Sequence, residues 1–260
     1  MNEKETKKFR YIVSKITDPH LNQALDESLL NSVYQKKSDF ILRFWKSDPC
    51  VIIGRNQSIN AEVNTEYCRK NQIPIIRRIS GGGAVYLDLG CLNFSFLFNS
   101  TCKFFTKNIP ILNKFIINII IEALNTLSFK CEFQPPNSIF LDGKKISGNA
   151  QIYKGNSVLH HGTLLYRTDL KSLEYSLNSL SQVINQNKKQ VKSNKVKSTN
   201  LYFFNTKQTE ADIIDCGKKI IQKTLDFNLK TDEITKEEFE YAKMLKFKRY
   251  CSFSWQNRFI

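Results

Sequence analysis

Arg77-Arg78-Ile79-Ser80-Gly81-Gly82-Gly83-Ala84-Val85-Tyr86-Leu87-Asp88 sets three consecutive glycines between a basic, polar start and an apolar run. Glycine loses the most backbone entropy on folding, so a triplet is costly unless the main chain must take positive φ or approach a ligand closely. The two arginines offer fixed forks of donors suited to carboxylate or phosphate, and successive loop N–H groups can form an anion-binding nest. The spacing matches neither the P-loop nor the dinucleotide fingerprint. Taken alone, the stretch therefore reads first as a flexible loop beside a solvated basic pair.

Working outward, residues 74–78 read as a strand feeding the loop, and residues 62–71 as a helix before it. Asp39 to Trp45 and Cys50–Ile53 are β-rich runs around the turn Lys46-Ser47-Asp48-Pro49. The second run ends in Gly54-Arg55-Asn56-Gln57, a pocket lining or an ordinary polar turn. Toward the N-terminus, Phe9–Val13 reads as a first strand. Asp18-Pro19 then supplies an N-cap and a first-turn proline, and Leu21, Ala24, Leu25, Leu29 and Leu30 recur at helical spacing.

Beyond the loop, residues 93–98 alternate as a half-buried strand would, and Pro110 opens an apolar helix running to about Leu127. Asp142-Gly143 and Lys154-Gly155-Asn156 mark two hairpin turns. The strands around them carry Lys144-Lys145-Ile146-Ser147-Gly148-Asn149-Ala150-Gln151 and His160-His161-Gly162-Thr163. Adjacent strand residues point to opposite faces, so at most one of His160 and His161 faces a given pocket. Residues 186–199 hold Lys188, Lys189, Lys192, Lys195 and Lys197 and almost nothing apolar. A solvated linker and a loop closing over a polyanion such as ATP share that composition. Two helices, over residues 209–225 and 237–245, precede Ser252-Phe253-Ser254-Trp255.

Composition narrows the function classes. The net charge of +15 suits an acidic partner or ligand, although a bias toward Lys, Asn, Ile and Phe gives the same sum, and no nucleic-acid motif accompanies it. Seven cysteines are scattered without a CxxC pair, which is neither a zinc pattern nor a disulfide framework and fits a reducing compartment. The longest apolar run, residues 109–127, is interrupted by Asn113, Lys114, Asn118 and Glu122, so no membrane span is expected. The first residues contain acids and no apolar core of a secretory signal. A cytoplasmic protein is expected, with an organellar matrix as the alternative.

Several of these motifs occur in a fixed order: Leu42-Arg43-Phe44-Trp45, Val51 to Gln57, the glycine loop, Asn93-Phe94-Ser95-Phe96, Lys145-Ile146-Ser147-Gly148-Asn149-Ala150, His160 to Leu165, and the basic run 192–201. In that order the chain resembles the lipoate-protein ligase A family of the biotin and lipoate ligase superfamily. The resemblance spans nearly the whole chain and is far more specific than any single motif. It implies one catalytic domain over residues 1–260, with a mixed α/β sheet and flanking helices like that of class II aminoacyl-tRNA synthetases and biotin or lipoate ligases. The implied reaction has two steps: lipoate and ATP give lipoyl-adenylate and pyrophosphate, and a lysine of a lipoyl-domain acceptor then attacks the mixed anhydride.

Carried onto this sequence, the resemblance makes Lys145 the catalytic residue, where the lipoyl carboxylate meets the α-phosphate. It assigns Arg78, Ser80, Gly81, Gly82, Gly83, Gly148, Ala150, His161 and Gly162 to lipoate or lipoyl-adenylate, and Val85, Tyr86, Asn93, Thr163, Lys192 and Lys195, with Lys145, to the nucleotide. Mg²⁺ is expected with the phosphates, without assigned protein ligands. An acidic lipoyl domain is the expected partner; nucleic acid and membrane are not. The sequence departs from the family pattern at Leu87, where histidine is usual, and at Cys91, where asparagine is usual. Family members also carry a further C-terminal domain after the aromatic segment, so an accessory chain is an expected partner. Three rival readings remain: a lipoyltransferase taking preformed lipoyl-adenylate, an octanoyltransferase on the same fold, and an inactive module binding lipoyl domains or nucleic acid. The octanoyltransferases use a cysteine nucleophile, and none lies between Cys131 and Cys216.

Overall fold

The computed structural model describes residues 8–178 and 196–258. In chain order the strands are β1 (Phe9–Val13), β2 (Phe40–Trp45), β3 (Cys50–Ile53), β4 (Ile75–Arg77), β5 (Val85–Leu87), β6 (Cys91–Asn99), β7 (Cys131–Gln134), β8 (Ser138–Leu141), β9 (Lys144–Lys154), β10 (Ser157–Leu165) and β11 (Lys230–Thr231). The helices are α1 (Pro19–Tyr34), α2 (Ile59–Glu62), α3 (Thr65–Lys70), α4 (Ile109–Thr126), α5 (Leu170–Ser176), α6 (Glu210–Leu225), α7 (Lys236–Leu245) and α8 (Phe253–Gln256). Eight strands form a mixed sheet in the order β11-β1-β2-β6-β10-β9-β8-β7, and β4-β3-β5 form a small second sheet. The expected mixed α/β architecture is the one observed.

Strand alternation sorts the two faces of the large sheet. Phe40, Leu42 and Phe44 of β2, Phe94, Phe96 and Phe98 of β6, and Val158 and Leu164 of β10 face α4 and α6 in the largest core cluster. Ile41 and Trp45, Leu97, Leu159 and Leu165 point the other way, onto α1 and α7. The small sheet lies on this second side: Ile52, Ile76 and Leu87 join the α1 cluster, while Val51, Ile53 and Tyr86 form a third cluster behind it. The glycine loop, between β4 and β5, therefore sits beside α1 and over the middle of the large sheet.

Local chemistry explains most boundaries. The Asp18 side chain accepts from the Leu21 N–H at the start of α1, and Asn108 caps α4 in the same way. Capping boxes at Thr209/Asp212 and Thr235/Glu238 open α6 and α7. Asp142 and Gly143, both at positive φ, make the expected tight hairpin. Two expectations need correction. The single helix over residues 62–71 is broken at Val63, which is extended and bridges to Leu177, and Asn64 caps a fresh helix. Residues 93–98 belong to a strand buried along its whole length, because β6 runs mid-sheet with helices on both faces. By length and composition α4 could cross a bilayer, but here Leu112, Ile116, Ile117, Ile120 and Leu124 are buried in the largest core cluster.

Candidate active site

A cavity of about 600 Å³ opens between the glycine loop and the large sheet. Its walls include Trp45, Ile52 and Leu87 on one side, Gly83, Ala84 and Val85 from the loop, and His161, Gly162 and Thr163 of β10. Phe140, Lys145, Gly148, Asn149 and Ala150 of the β8–β9 hairpin close another side, and Val196 contributes from the described end of the basic run.

Glycine is required here for close packing. A Cβ on Gly54 would lie 2.1 Å from the Gly82 carbonyl oxygen, so the turn after β3 presses directly on the loop. Gly82 itself takes φ of +88°, and a Cβ there would meet Arg78 Nη2 at 3.0 Å and Ala150 Cβ at 3.5 Å. The Gln57 side chain folds back to accept from the Gly54 N–H at 2.8 Å, which makes residues 54–57 a buttress for the loop. From behind, the Arg77 guanidinium donates to the carbonyls of Gly54, Arg55, Gln57, Trp255 and Gln256, and Trp255 Nε1 donates back to the Arg77 carbonyl.

Arg78 turns inward. Its Nη2 donates to Gly81 O at 2.6 Å and Gly83 O at 2.8 Å, and its Nε donates to Ser80 Oγ at 3.0 Å. No carboxylate pairs with it among the described residues, and burial pulls its pKa down to about 10. Ser80 Oγ lies 2.6 Å from His161 Nε2, and His161 Nδ1 lies 3.3 Å from Asp26 Oδ2. Asp26, on α1, also accepts from Arg43 Nη1 at 2.8 Å and from Ser95 Oγ. Burial alone would raise the Asp26 carboxyl; the His161 hydrogen bond and the Arg43 charge outweigh it and hold it below the usual carboxylate range.

A β-bulge aims Lys145. Phe140 pairs with Lys145 but Ile139 pairs with Ser147, so Ile146 is an extra residue on β9. Without it Lys145 would share a face with Ser147; with it, Lys145, Gly148 and Ala150 all line the cavity while Ile146 drops into the core. A Cβ at Gly148 would lie 3.2 Å from Lys145 Nζ, so the ammonium rests over that glycine. Burial lowers the Lys145 pKa, and the charge of Arg78 lowers it further. Both backbone groups of Lys145 are engaged by the returning chain: its N–H donates to Lys197 O at 2.9 Å, and the Thr199 N–H donates to its carbonyl at 3.0 Å. Glu132, an exposed carboxylate on the cavity wall, stands one strand beyond Phe140 in the same register.

Comparison with known proteins identifies the family. The model of the lipoyl protein ligase A/B catalytic domain matches residues 18–219. The chain belongs to that family. It is 34% identical over 246 residues to lipoate-protein ligase 1 of Staphylococcus aureus, covering 93% of this chain and 71% of that protein. A lipoate-protein ligase of Bacillus subtilis is 32% identical over 242 residues, with 92% and 70% covered. Among solved structures, a lipoate-protein ligase A bound with ATP superposes with a TM-score of 0.83 at 27% identity, over 97% of this chain and 100% of that one. A bi-partite lipoate protein ligase from Thermoplasma acidophilum, described together with its E2 lipoyl domain, gives 0.82 at 25% identity over 98% of each chain.

The residues that family membership points to are only partly gathered in the cavity. Its wall carries Arg78, Gly83, Val85, Asn93, Lys145, Gly148, Ala150, His161, Gly162 and Thr163. Ser80 lies behind it, buried between Arg78 and His161, and Gly81 and Gly82 lie along the loop. Tyr86 points away: it alternates with Val85 and packs against Val51 and Ile53. Gly162 leaves room for protein atoms as well, since a Cβ there would meet Asn149 Oδ1 and Phe94 Cζ, each at 2.4 Å. Lys192 and Lys195, with most of the basic loop 186–199, lie outside the described residues. His160 points to the opposite side from His161, where burial and then the charge of His161 lower its pKa to about 3. The sequence reading missed Asp26. A signal existed in Asn22, Gln23 and Asp26, polar residues interleaved with the apolar stripe Leu21, Ala24 and Leu25 and buried beside it.

Proposed function

We propose that this protein attaches lipoate to lysines of lipoyl-domain proteins in two steps. The lipoate carboxylate attacks the α-phosphorus of MgATP and pyrophosphate leaves; the acceptor amine then attacks the acyl carbon of lipoyl-adenylate and AMP leaves. The observation that carries this reading is the pair Lys145 and Arg78: two cations drawn out of water on one cavity, neither paired with a carboxylate among the described residues. Such a pair suits the junction of a carboxylate and a phosphate, where it would hold two anions together and counter the charge that builds up during transfer. The apolar wall of Trp45, Ile52 and Leu87 suits an acyl chain. Mg²⁺ enters the proposal with the nucleotide, as an ion that usually keeps phosphate and water ligands.

The thioester route of an octanoyltransferase has little support. None of the seven cysteines lines the cavity, and burial pushes the Cys50 and Cys131 thiols up to about 12, far from a thiolate nucleophile. An acidic lipoyl domain as acceptor is supported by the net charge of +15, which would steer encounter. An accessory chain is part of the proposal, supported by the end-to-end likeness to a ligase described as bi-partite. The cytoplasm or an organellar matrix goes with it, supported by seven free thiols.

The test is lipoylation of an acidic lipoyl domain by the purified chain, with lipoate, Mg²⁺ and labelled ATP, and separately with supplied lipoyl-adenylate. Lys145→Ala should lose about two or more orders of magnitude in turnover with unchanged melting temperature, whereas Lys144→Ala should stay near wild type. Transfer from lipoyl-adenylate without any adenylate formed from ATP, even with cell extract, would make the protein a transferase.

A further inference from the structure

Asp26 touches neither the cavity nor the glycine loop, yet a single line of hydrogen bonds leads from it to both. Arg78 Nε carries a proton, so at 3.0 Å Ser80 Oγ must accept from it. The Ser80 hydroxyl then directs its own proton to the nearest acceptor, His161 Nε2 at 2.6 Å. With Nε2 accepting, the imidazole proton sits on Nδ1, facing Asp26 Oδ2 at 3.3 Å; an Nε2–H giving Ser80 Oγ a second donor is the alternative that ¹H–¹⁵N spectra separate. Asp26 is itself fixed by Arg43 Nη1 at 2.8 Å and by Ser95 Oγ, which accepts in turn from Trp45 Nε1. Arg78 Nε is shared between Ser80 Oγ and the Gly81 carbonyl, and Ser95 Oγ reaches both oxygens of Asp26.

We propose that Asp26 is a positioning residue for the glycine loop: by holding His161 as the Nδ1–H tautomer it orients the Ser80 hydroxyl, and Ser80 in turn aims the Arg78 guanidinium across the Gly81 and Gly83 carbonyls. The inference rests on the reading of this cavity as the lipoate and nucleotide site. Asp26 reaches Arg78 through His161 and Ser80, and takes no proton in the reaction. Among the described residues Arg78 is otherwise bonded to backbone carbonyls, so Ser80 is the side chain there that sets the rotation of its fork.

The chain has three histidines, so long-range ¹H–¹⁵N spectra of the intact protein can report each tautomer. His161 should show a protonated Nδ1 in wild type and in Ser80→Ala, and should lose that preference in Asp26→Asn. In the ligation assay Ser80→Ala and Asp26→Asn should each lower kcat/KM for lipoate about tenfold. The double variant should be no worse than the poorer single one, because both changes break one line. A protonated Nε2 in wild-type His161, wild-type kcat/KM in Asp26→Asn, or fully additive losses would each overturn the proposal. Should Asp26→Asn fail to fold, with Arg43 left without its carboxylate, the wild-type spectrum and the loss in Ser80→Ala decide. The spectrum needs no activity, so an Nδ1–H His161 in a protein that ligates no lipoate would sink the functional reading and leave the relay standing.

Discussion

Gly54→Ala tests how far catalysis depends on the seat of the glycine loop. The added Cβ would start 2.1 Å from the Gly82 carbonyl oxygen and 3.1 Å from its carbon, with Gln57 Oε1 at 3.3 Å. Ordinary contact begins near 3.4 Å, so the two backbones must part by about 1.3 Å. Neither side yields cheaply. Gly54 is tied by its N–H to Gln57 and by its carbonyl to Arg77, and Gly82 lies between two carbonyls gripped by Arg78. Overpacking of this kind costs about 1–3 kcal/mol, which in a protein of this size lowers Tm by roughly 2–4 °C per kcal/mol. A loop displaced by about 1 Å should cost roughly a hundredfold in kcat/KM. Gly81→Ala is the internal contrast, because a Cβ there has nothing within 4 Å. It should leave Tm unchanged and affect only ligand binding. Ligation kinetics and thermal melts on the two variants decide; a Gly54→Ala protein within threefold of wild-type kcat/KM would refute the reasoning.

Gly162→Ala should behave differently, as a stability defect of about 3 kcal/mol or more, since its Cβ would collide with Asn149 Oδ1, which contacts His160 Nε2, and with buried Phe94; a melting temperature within about 2 °C of wild type would refute this. Gly148→Ala should cost about tenfold in turnover without a shift in Tm, because the atoms in its way, Lys145 Nζ and Cε at 3.2 and 3.3 Å, can yield only by moving the ammonium; unchanged kinetics would show that Lys145 reaches its target from elsewhere. Acid should destabilise the fold below about pH 4. Asp26, Asp18 and Glu238 all have folded-state pKa values depressed by hydrogen bonds and cations that outweigh burial. Their contribution is fully present above the unfolded carboxylate pKa and is lost as pH falls through the folded one. Denaturant melts from pH 7 to 3 should show a decline confined to the acid end, and a loss already complete at pH 5 would contradict it.

Strands and turns were legible wherever local chemistry is decisive. Phe9–Val13, Cys50–Ile53, the Asp142-Gly143 hairpin and the Asp18 cap all follow from residues within a few positions of one another. What escaped depends on distant partners. The two-residue β11 exists only because β1 offers it a parallel edge, and the break at Val63 is fixed by Leu177, more than a hundred residues away. The composition of the glycine loop suggested close approach of something to its main chain, but glycine in sequence does not say what comes close to it. At Gly54 and Gly162 the close neighbour is protein, and at Gly81 the space is open. Tyr86 and Val85 were named together, and strand alternation sends them to different sides.

Lys144 and Lys145 show the same limit at the proposed catalytic residue. Adjacent in sequence and identical in chemistry, they are separated by the register of one hairpin: the extra residue Ile146 turns Lys145 onto the face of Gly148 and Ala150. The surrounding charges then give that placement its meaning. Asp26, the buried carboxylate that the loop reaches through Ser80 and His161, is already paired with Arg43 and separated from the cavity by His161, and the carboxylate on the wall, Glu132, is exposed two strands from Lys145. Arg78 spends its donors on neutral carbonyls and a hydroxyl. Among the described residues no carboxylate pairs with either cation, so their combined field falls on the cavity, where low dielectric makes it strong. A site built this way binds an anion that brings its own negative charge, and two anions meeting there are held more firmly than either alone.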